Sequence, residues 1–354
     1  MLSDIIFSLG KGILLHMKRI LLKDIAQMAG VAPSTVSFIL NGKARQMRIS
    51  EELEKKVFAF AKNAGYHPNQ VAVSLRTGKS KILGLIVESI SGHFFGSLAR
   101  IIEDEAERYG YKVVYCSTEN DSQKGRELIR MLSQRQVDGY LITPTRGMEK
   151  DIQELFVDQK PLVLMDGYFP ALKIPYVLVN NRAGIFLGME HLIEKGYRKI
   201  GFVTVDLALV QMEEREAAYA SCLRSYKIAL NKKFVHKVSY TGSKEEVIRS
   251  ISSFIKASKG MDAIFFATNY LGIAGLESIH QLKLKIPEDL AVVCFDDHDI
   301  FRLYPPGISS IRQPVEAIAK MAIELLMLQL GNNKISVKKS QLQLAPSFIS
   351  RGST

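Results

Sequence analysis

Between Leu22 and Gly42 the chain sets two short amphipathic stretches on either side of a glycine, which fits two short helices joined by a tight turn. Leu22, Ile25, Ala26 and Ala29 recur at helical spacing and share one face. Gly30 ends that stretch, and Val31 is placed to plug the turn. Pro33 suits the first position of a second helix, where its missing N–H costs nothing. Thr35, Val36, Ile39 and Leu40 continue the second helix until Asn41 and Gly42 stop it. Ser50 is a good N-cap for a third helix, with Glu51 and Glu52 near the positive end of its dipole. Val57, Phe60, Ala61 and Ala64 give that helix an inner face, and Gly65 closes it. Two short helices with a third in support form a helix-turn-helix module.

Charge is concentrated on the same segment. Residues 17–79 hold eleven basic and four acidic side chains, a net of +7, out of +11 for the whole chain of 354 residues. Residues 80–354 carry 35 basic and 31 acidic side chains, a net of only +4. A basic module on a near-neutral body is the electrostatic pattern of a nucleic-acid binder, although charge alone fits a merely soluble basic surface equally well.

Other classes fit poorly. Cys116, Cys222 and Cys294 lie far apart with no C-x-x-C pair, which argues against a disulfide framework or a cysteine-rich metal site and for a reducing cytosol. No run of about 18 apolar residues offers a membrane span. Residues 1–16 lack the basic start and small-residue cleavage site of a secretory signal. Met17 followed by Lys18 and Arg19 reads as a better start, leaving 1–16 as an over-long gene start or a loose extension. The motifs G-x-S-x-G, H-E-x-x-H and G-x-x-x-x-G-K-[ST] are missing, so no catalytic residue, metal or cofactor is assigned. Asp296, Asp297, His298 and Asp299 form the one cluster open to a metal or acid–base reading. The other reading is a ligand-binding loop at the carboxyl end of a strand.

From residue 81 onward, strands and helices alternate. Apolar runs at 82–87, 112–115, 140–142, 161–165, 176–179, 199–203, 262–266 and 290–295 read as strands. Amphipathic stretches at 95–109, 123–134, 185–194, 214–226 and 271–281 read as helices. This is the rhythm of parallel sheets covered on both faces, with enough strands for two sheets and a break near 175–180.

Particular strings tie the module to this body: KDIAQMAGV at 23–31, STVS at 34–37, LNG at 40–42, LRTGK at 75–79, ILGLIV at 82–87, VDG at 137–139, VVCFDD at 292–297, IRQP at 311–314 and RGST at 351–354. In this order and at these intervals the chain resembles the LacI/GalR family of bacterial transcriptional regulators over essentially its whole length. The resemblance implies an α/β chain. An N-terminal helix-turn-helix domain (17–67) and a hinge helix with linker (68–80) would precede a two-lobed, type I periplasmic-binding-protein-like effector domain (81–354). Lobe 1 would take about 81–177 and 308–335, and lobe 2 about 178–307 and 336–349.

It also implies site residues. Pro33, Ser34 and Phe38 match positions that read bases in the DNA major groove. Phe38 stands where many relatives carry Arg, exchanging a guanine reader for a ring able to pack on thymine methyls, or else joins the module's core. Thr35, Ser37, Asn41, Tyr66 and Asn69 match contacts to the DNA backbone. Ala72 and Leu75 match a hinge helix that folds when paired on DNA, with Leu75 as a minor-groove wedge. Leu21 and Ala32 replace the hydroxyl caps common in relatives, each at a cost of about 1 kcal/mol.

Phe94, Asp166, Arg215, Asn269 and Asp296 match the effector cleft, with an exposed salt bridge as the other reading of Arg215. Asn180 and Tyr270 stand where relatives usually have Asp. They either admit a less cationic or even anionic ligand, or lie outside the cleft.

The implied function is sequence-specific repression of carbohydrate-utilisation genes by a cytoplasmic, nucleoid-associated homodimer. Its partners would be a pseudo-palindromic double-stranded operator and a small polar effector such as a sugar. No sustained C-terminal heptad run suggests a tetramer. The alternative is a ligand-binding protein of the periplasmic type with no DNA role, which leaves residues 22–76 without a purpose.

Overall fold

The computed structural model describes residues 20–66, 70–331 and 337–354. The expectations for residues 1–16 and for Asn69 lie outside them. The chain divides into two units, Met1–Ser80 and Lys81–Thr354.

In the first unit α1 (Leu22–Ala29), α2 (Pro33–Leu40) and α3 (Glu51–Asn63) close over Ile25, Val36, Ile39 and Val57, all fully buried. Gly30 takes φ +69°, the left-handed conformation that lets α1 stop and the chain turn into α2. The missing hydroxyl cap at Leu21 is partly made good, because its backbone N–H donates to the Asp24 carboxylate at 2.8 Å. Ala32 offers no side-chain cap, and Pro33 reduces the loss by removing one orphan donor. Ser50 Oγ accepts from the Leu53 N–H at 3.3 Å, capping α3. A fourth helix, α4 (Gln70–Thr77), follows.

The second unit begins with β1 (Ile82–Val87), α5 (His93–Arg108), β2 (Lys112–Ser117), α6 (Ser122–Gln134), β3 (Gly139–Ile142), α7 (Glu149–Val157), β4 (Leu162–Met165) and β5 (Tyr176–Val179). Then come α8 (Asn181–Glu194), β6 (Ile200–Val205), α9 (Val210–Ser225), β7 (Val235–Val238), α10 (Lys244–Ala257), β8 (Ala263–Phe266), α11 (Asn269–Gln281), β9 (Ala291–Phe295), α12 (Asp299–Leu303) and β10 (Ser309–Arg312). The chain closes with α13 (Val315–Leu330), α14 (Val337–Ser340), β11 (Gln341–Leu344) and β12 (Ser347–Ile349).

Two six-stranded sheets result, ordered β11-β5-β4-β3-β1-β2 and β12-β10-β9-β8-β6-β7. Every neighbouring pair is parallel except β10–β12. Alternate residues of a strand feed opposite faces. Thus Leu83, Leu85 and Val87 of β1 join the apolar core that runs through both lobes, while Ile86 packs on the other face with Ile129 and Leu132.

The lobe boundaries differ from the sequence reading. Residues 309–312, expected in lobe 1, form β10 and pair with β9 in the second sheet. Residues 341–344, expected in lobe 2, form β11 and pair with β5 in the first. The chain therefore crosses three times, at Asn180, at Gln313–Pro314 and at Ala345–Pro346. Backbone pairing decides the matter: the parallel β9–β10 register buries Ser309, Ser310 and Ile311, and α13 packs only after the crossing, against lobe 1.

Candidate functional site

In the basic module, Pro33 and Ser34 open α2 and are exposed, while Thr35, Ser37 and Phe38 are half-buried. Phe38 lies outside the cluster of apolar side chains that forms the module's core, so its ring is not part of that core. Tyr66 packs against the core from the end of α3. The Asn41 amide is already engaged: Nδ2 donates to the Ser37 carbonyl at 2.5 Å, and Oδ1 accepts from Arg76 Nη2 at 2.6 Å. This bond ties α4 to the end of α2. Ala72 lies within α4, and Leu75 projects from it with 75% of its surface exposed, the highest among the described large apolar side chains. An isolated two-turn helix is marginal in water. Here α4 is helical in the single chain, helped by the Arg76–Asn41 bond and by the Thr77 hydroxyl, which donates back to the Val73 carbonyl at 2.9 Å.

In the body, a cavity of about 600 Å³ opens between the carboxyl ends of the two sheets, where open α/β sheets present their ligand-binding loops. The structure brings Phe94, Asp166, Arg215, Asn269 and Asp296 to this one cavity. Asp166 directly follows β4, and Asp296 directly follows β9. Both take positive φ, 62° and 68°, turning their carboxylates out of the strand direction into the cleft. Asp tolerates this conformation better than most residues, and such strained positions gather at functional sites. Asn269 opens α11, Phe94 lies in the first turn of α5, and Arg215 lies in the second turn of α9.

Arg215 is 1% exposed, which sets aside the surface-salt-bridge reading. Its Nε donates to Asn181 Oδ1 at 2.9 Å and its Nη1 to the Ala267 carbonyl at 2.7 Å. Nη1 stands 3.6 Å from Asp296 Oδ2, and the guanidinium lies 3.7 Å from the centre of the Phe295 ring. Gln313 Nε2 donates to Asp296 Oδ1 at 2.5 Å. Burial raises the Asp296 pKa, while Arg215 and Gln313 restrain the rise. Asp166 accepts from Gln211 Nε2 at 3.1 Å and is pushed up to about 6, by burial and by Asp296, against the pull of Arg215.

The neighbours of Asp296 have other partners, although His298 also lines the cavity. Asp297 accepts from Ser310 at 2.6 Å, from Arg312 and from Arg351 at 2.8 Å each. Burial alone would raise its pKa, but these donors bring it to about 2. His298 Nδ1 accepts from the Ile300 N–H, capping α12. Asp296, Asp297 and His298 thus face different partners, and among the described residues no group of three His, Cys, Asp or Glu side chains is gathered as a metal would require.

Asn180 is absent from the cavity lining. Its side chain accepts from the Ala183 N–H at 2.9 Å and caps α8, so its difference from relatives lies outside the cleft. Tyr270 does line the cavity.

Sequence reading missed Glu88, Gln211, Tyr240 and Gln313, which share the lining or brace it. Glu88 had a usable signal, since it is the first polar residue after the buried strand β1, as Asp166 is after β4 and Asp296 after β9.

A helix-turn-helix unit carried by the same chain as a two-lobed body with a polar cleft defines the class: a DNA-binding regulator with a ligand-sensing domain. Residues 21–69 match the bacterial regulatory proteins of the lacI family. Residues 80–238 match the periplasmic binding proteins and sugar binding domain of the LacI family, and residues 189–354 match a periplasmic binding protein-like domain. The chain is 30% identical to the ribose operon repressor of Haemophilus influenzae, over 94% of this chain and 98% of that one. It is 29% identical to the HTH-type transcriptional regulator KdgR of Bacillus subtilis, over 91% and 94%. Among solved structures, the lac repressor dimer bound to operator and the anti-inducer ONPF shares the fold with a TM-score of 0.83 at 21% identity, over 95% and 99%. The chain belongs to the LacI family of bacterial regulatory proteins. It is a transcriptional regulator and not an enzyme. Among the described residues, no helix is long and apolar enough to cross a membrane.

Proposed function

We propose that the chain represses carbohydrate-utilisation genes as a homodimer, holding a pseudo-palindromic operator until a small polar effector enters the cleft. Within this reading it acts in the cytoplasm, at the nucleoid. The observation that carries it is the convergence of Asp166, Arg215, Asn269 and Asp296, from four separate segments, on one cavity in a chain that also carries a DNA-binding module. Their chemistries are complementary: carboxylates accept from hydroxyls, an amide does either, and a guanidinium donates in a fork. The relative named as a ribose operon repressor supports the direction of control.

Pro33, Ser34 and Phe38 would read bases. Thr35, Ser37, Asn41, Tyr66 and Asn69 would hold the phosphate backbone, with Asn41 first exchanging Arg76 for a phosphate. Ala72 and Leu75 would seat a paired hinge in the minor groove. Asn269 and Asp296 would hold ligand hydroxyls, with Phe94 against an apolar face. A thermal-shift screen of sugars, sugar phosphates and amino sugars tests the cleft, because a ligand that binds only the folded chain raises its melting temperature. The ligand found should lower operator occupancy. A ligand that stabilises the chain without changing operator occupancy refutes control through the cleft.

A further inference from the structure

The charges around the cleft do not balance. Among the described residues, the cavity is lined by four carboxylates, Glu88, Glu119, Asp166 and Asp296, and by two strong bases, Arg215 and Lys244. Both bases are committed. Arg215 is held by Asp296, Asn181 and the Ala267 carbonyl, and Lys244 pairs with Glu277 at 2.9 Å. Glu88 and Asp166 therefore face the cleft with neutral groups as their close neighbours: Tyr240 and Asn120 beside Glu88, and Gln211 donating to Asp166. Burial, with Asp166 and Glu119 nearby, pushes Glu88 up to about 7, while the neighbouring Tyr240 and Asn120 hold the rise back.

A second feature points to a donor on the ligand. Gln313, only 5% exposed at the lobe crossing, spends its Nε2 on Asp296, and its Oε1 accepts no hydrogen bond. The rings of Phe94, Tyr240 and Tyr270 line the same cavity, and aromatic faces favour cations.

We propose that the effector carries a protonated amino group, as an amino sugar or amino polyol does, seated between Glu88 and Asp166. This rests on the cleft being the effector site. An ammonium supplies the counter-charge that the lining lacks, whereas a phosphorylated ligand adds to the repulsion and must compete with Asp296 for Arg215. It also takes the place of the protons that Glu88 and Asp166 hold near neutrality. Arg215 and Asp296 beside Asp166, Glu119, Tyr240 and Tyr270 around Glu88, and the lining side chains His93, His298 and Lys244 are the other ionisable groups in play. Since the cation needs both carboxylates ionised and must keep its own proton, its affinity rises as pH rises from about 6 to about 7 and falls again as the ligand amine deprotonates toward about pH 8.

The test is calorimetric titration of the full chain with glucosamine, galactosamine and mannosamine, each beside its parent hexose and the hexose 6-phosphate. It is run on the parent, E88Q, D166N and R215A proteins, with circular dichroism as the check on folding. At least one amine should bind about tenfold more tightly than its parent sugar, an advantage lost in both E88Q and D166N. The inference is overturned if no amine binds, if a neutral or phosphorylated sugar binds as tightly, or if the advantage survives in both variants. A neutral sugar bound by the parent but not by R215A would refute only the amine. A ligand bound equally well by R215A would refute the cleft reading itself.

Discussion

Arg215 shows how much of this cleft is built by neighbours outside its lining. Its guanidinium is fixed by Asn181, by a backbone carbonyl and by the Phe295 ring, and so holds Asp296 at a set distance. Removing one partner of a buried charged hydrogen bond costs about 1–3 kcal/mol or more. D296A and R215A should lose at least about tenfold in effector affinity while keeping operator affinity, giving a regulator locked on DNA. Effector titration against an operator-bound sample checks this, and unchanged affinity in both variants would contradict it. Asp297, one residue away, has a different task. It joins Ser310 and Arg312 of β10 to Arg351 near the C-terminus. Breaking such a buried pair costs about 3–5 kcal/mol, so D297A should unfold at markedly lower denaturant. Because its folded pKa is about 2 against 3.8 for an ordinary Asp, its contribution is whole above that range and lost as pH falls through it. The stability gap between the parent and D297A, measured by urea titration, should narrow as pH falls from about 4 toward 2. A constant gap would sink the assignment.

Among the elements, α4 and α8 carry the clearest expectations. Leu75 is the exposed tip of α4, and under the proposed wedge role its burial in a minor groove would be worth about 1.5–3 kcal/mol. L75A should therefore bind operator about tenfold or more weakly, with dimerisation and effector binding intact, and a gel-shift titration showing equal affinity would refute the wedge. Helix α8 lies tight against the second sheet: a Cβ at Gly184 would come within 2.6 Å of the Phe295 ring that supports Arg215. G184A should destabilise the body by about 1–3 kcal/mol through overpacking and weaken effector binding along with it. Denaturant titration paired with calorimetry reads both, and a variant as stable as the parent would show that Phe295 has room to move. The elements also show what sequence can and cannot reveal. The helix-turn-helix was legible because its signals are local: a glycine at the turn, a proline at N1 and serine at a cap. The lobe membership of β10 and β11 was not, because four-residue apolar strands choose a sheet through pairing with distant partners. The five cleft residues came from motif resemblance and Glu88 could have been found from its place at the end of a buried strand, whereas Gln313 carries no such signal and becomes visible only when the strand ends converge.

For the whole molecule, two properties must be linked: a basic module that meets phosphate and a body that meets a small ligand. If the ligand weakens operator binding by some factor, the operator must weaken ligand binding by the same factor. This reciprocity separates control from coincidence, and calorimetry with and without operator duplex measures it directly. The deeper requirement is that the module reads sequence at all. Phosphate contacts alone give binding that falls with salt and ignores base order, whereas Pro33, Ser34, Phe38 and Leu75 would add a part that does not. The decisive measurement is fluorescence anisotropy of the full chain with a duplex selected from a randomised pool and with its scrambled counterpart, across a range of salt. The account predicts a selected duplex bound at least about a thousandfold more tightly, with the gap persisting as salt rises. Equal affinities for the two duplexes at every salt concentration would contradict it.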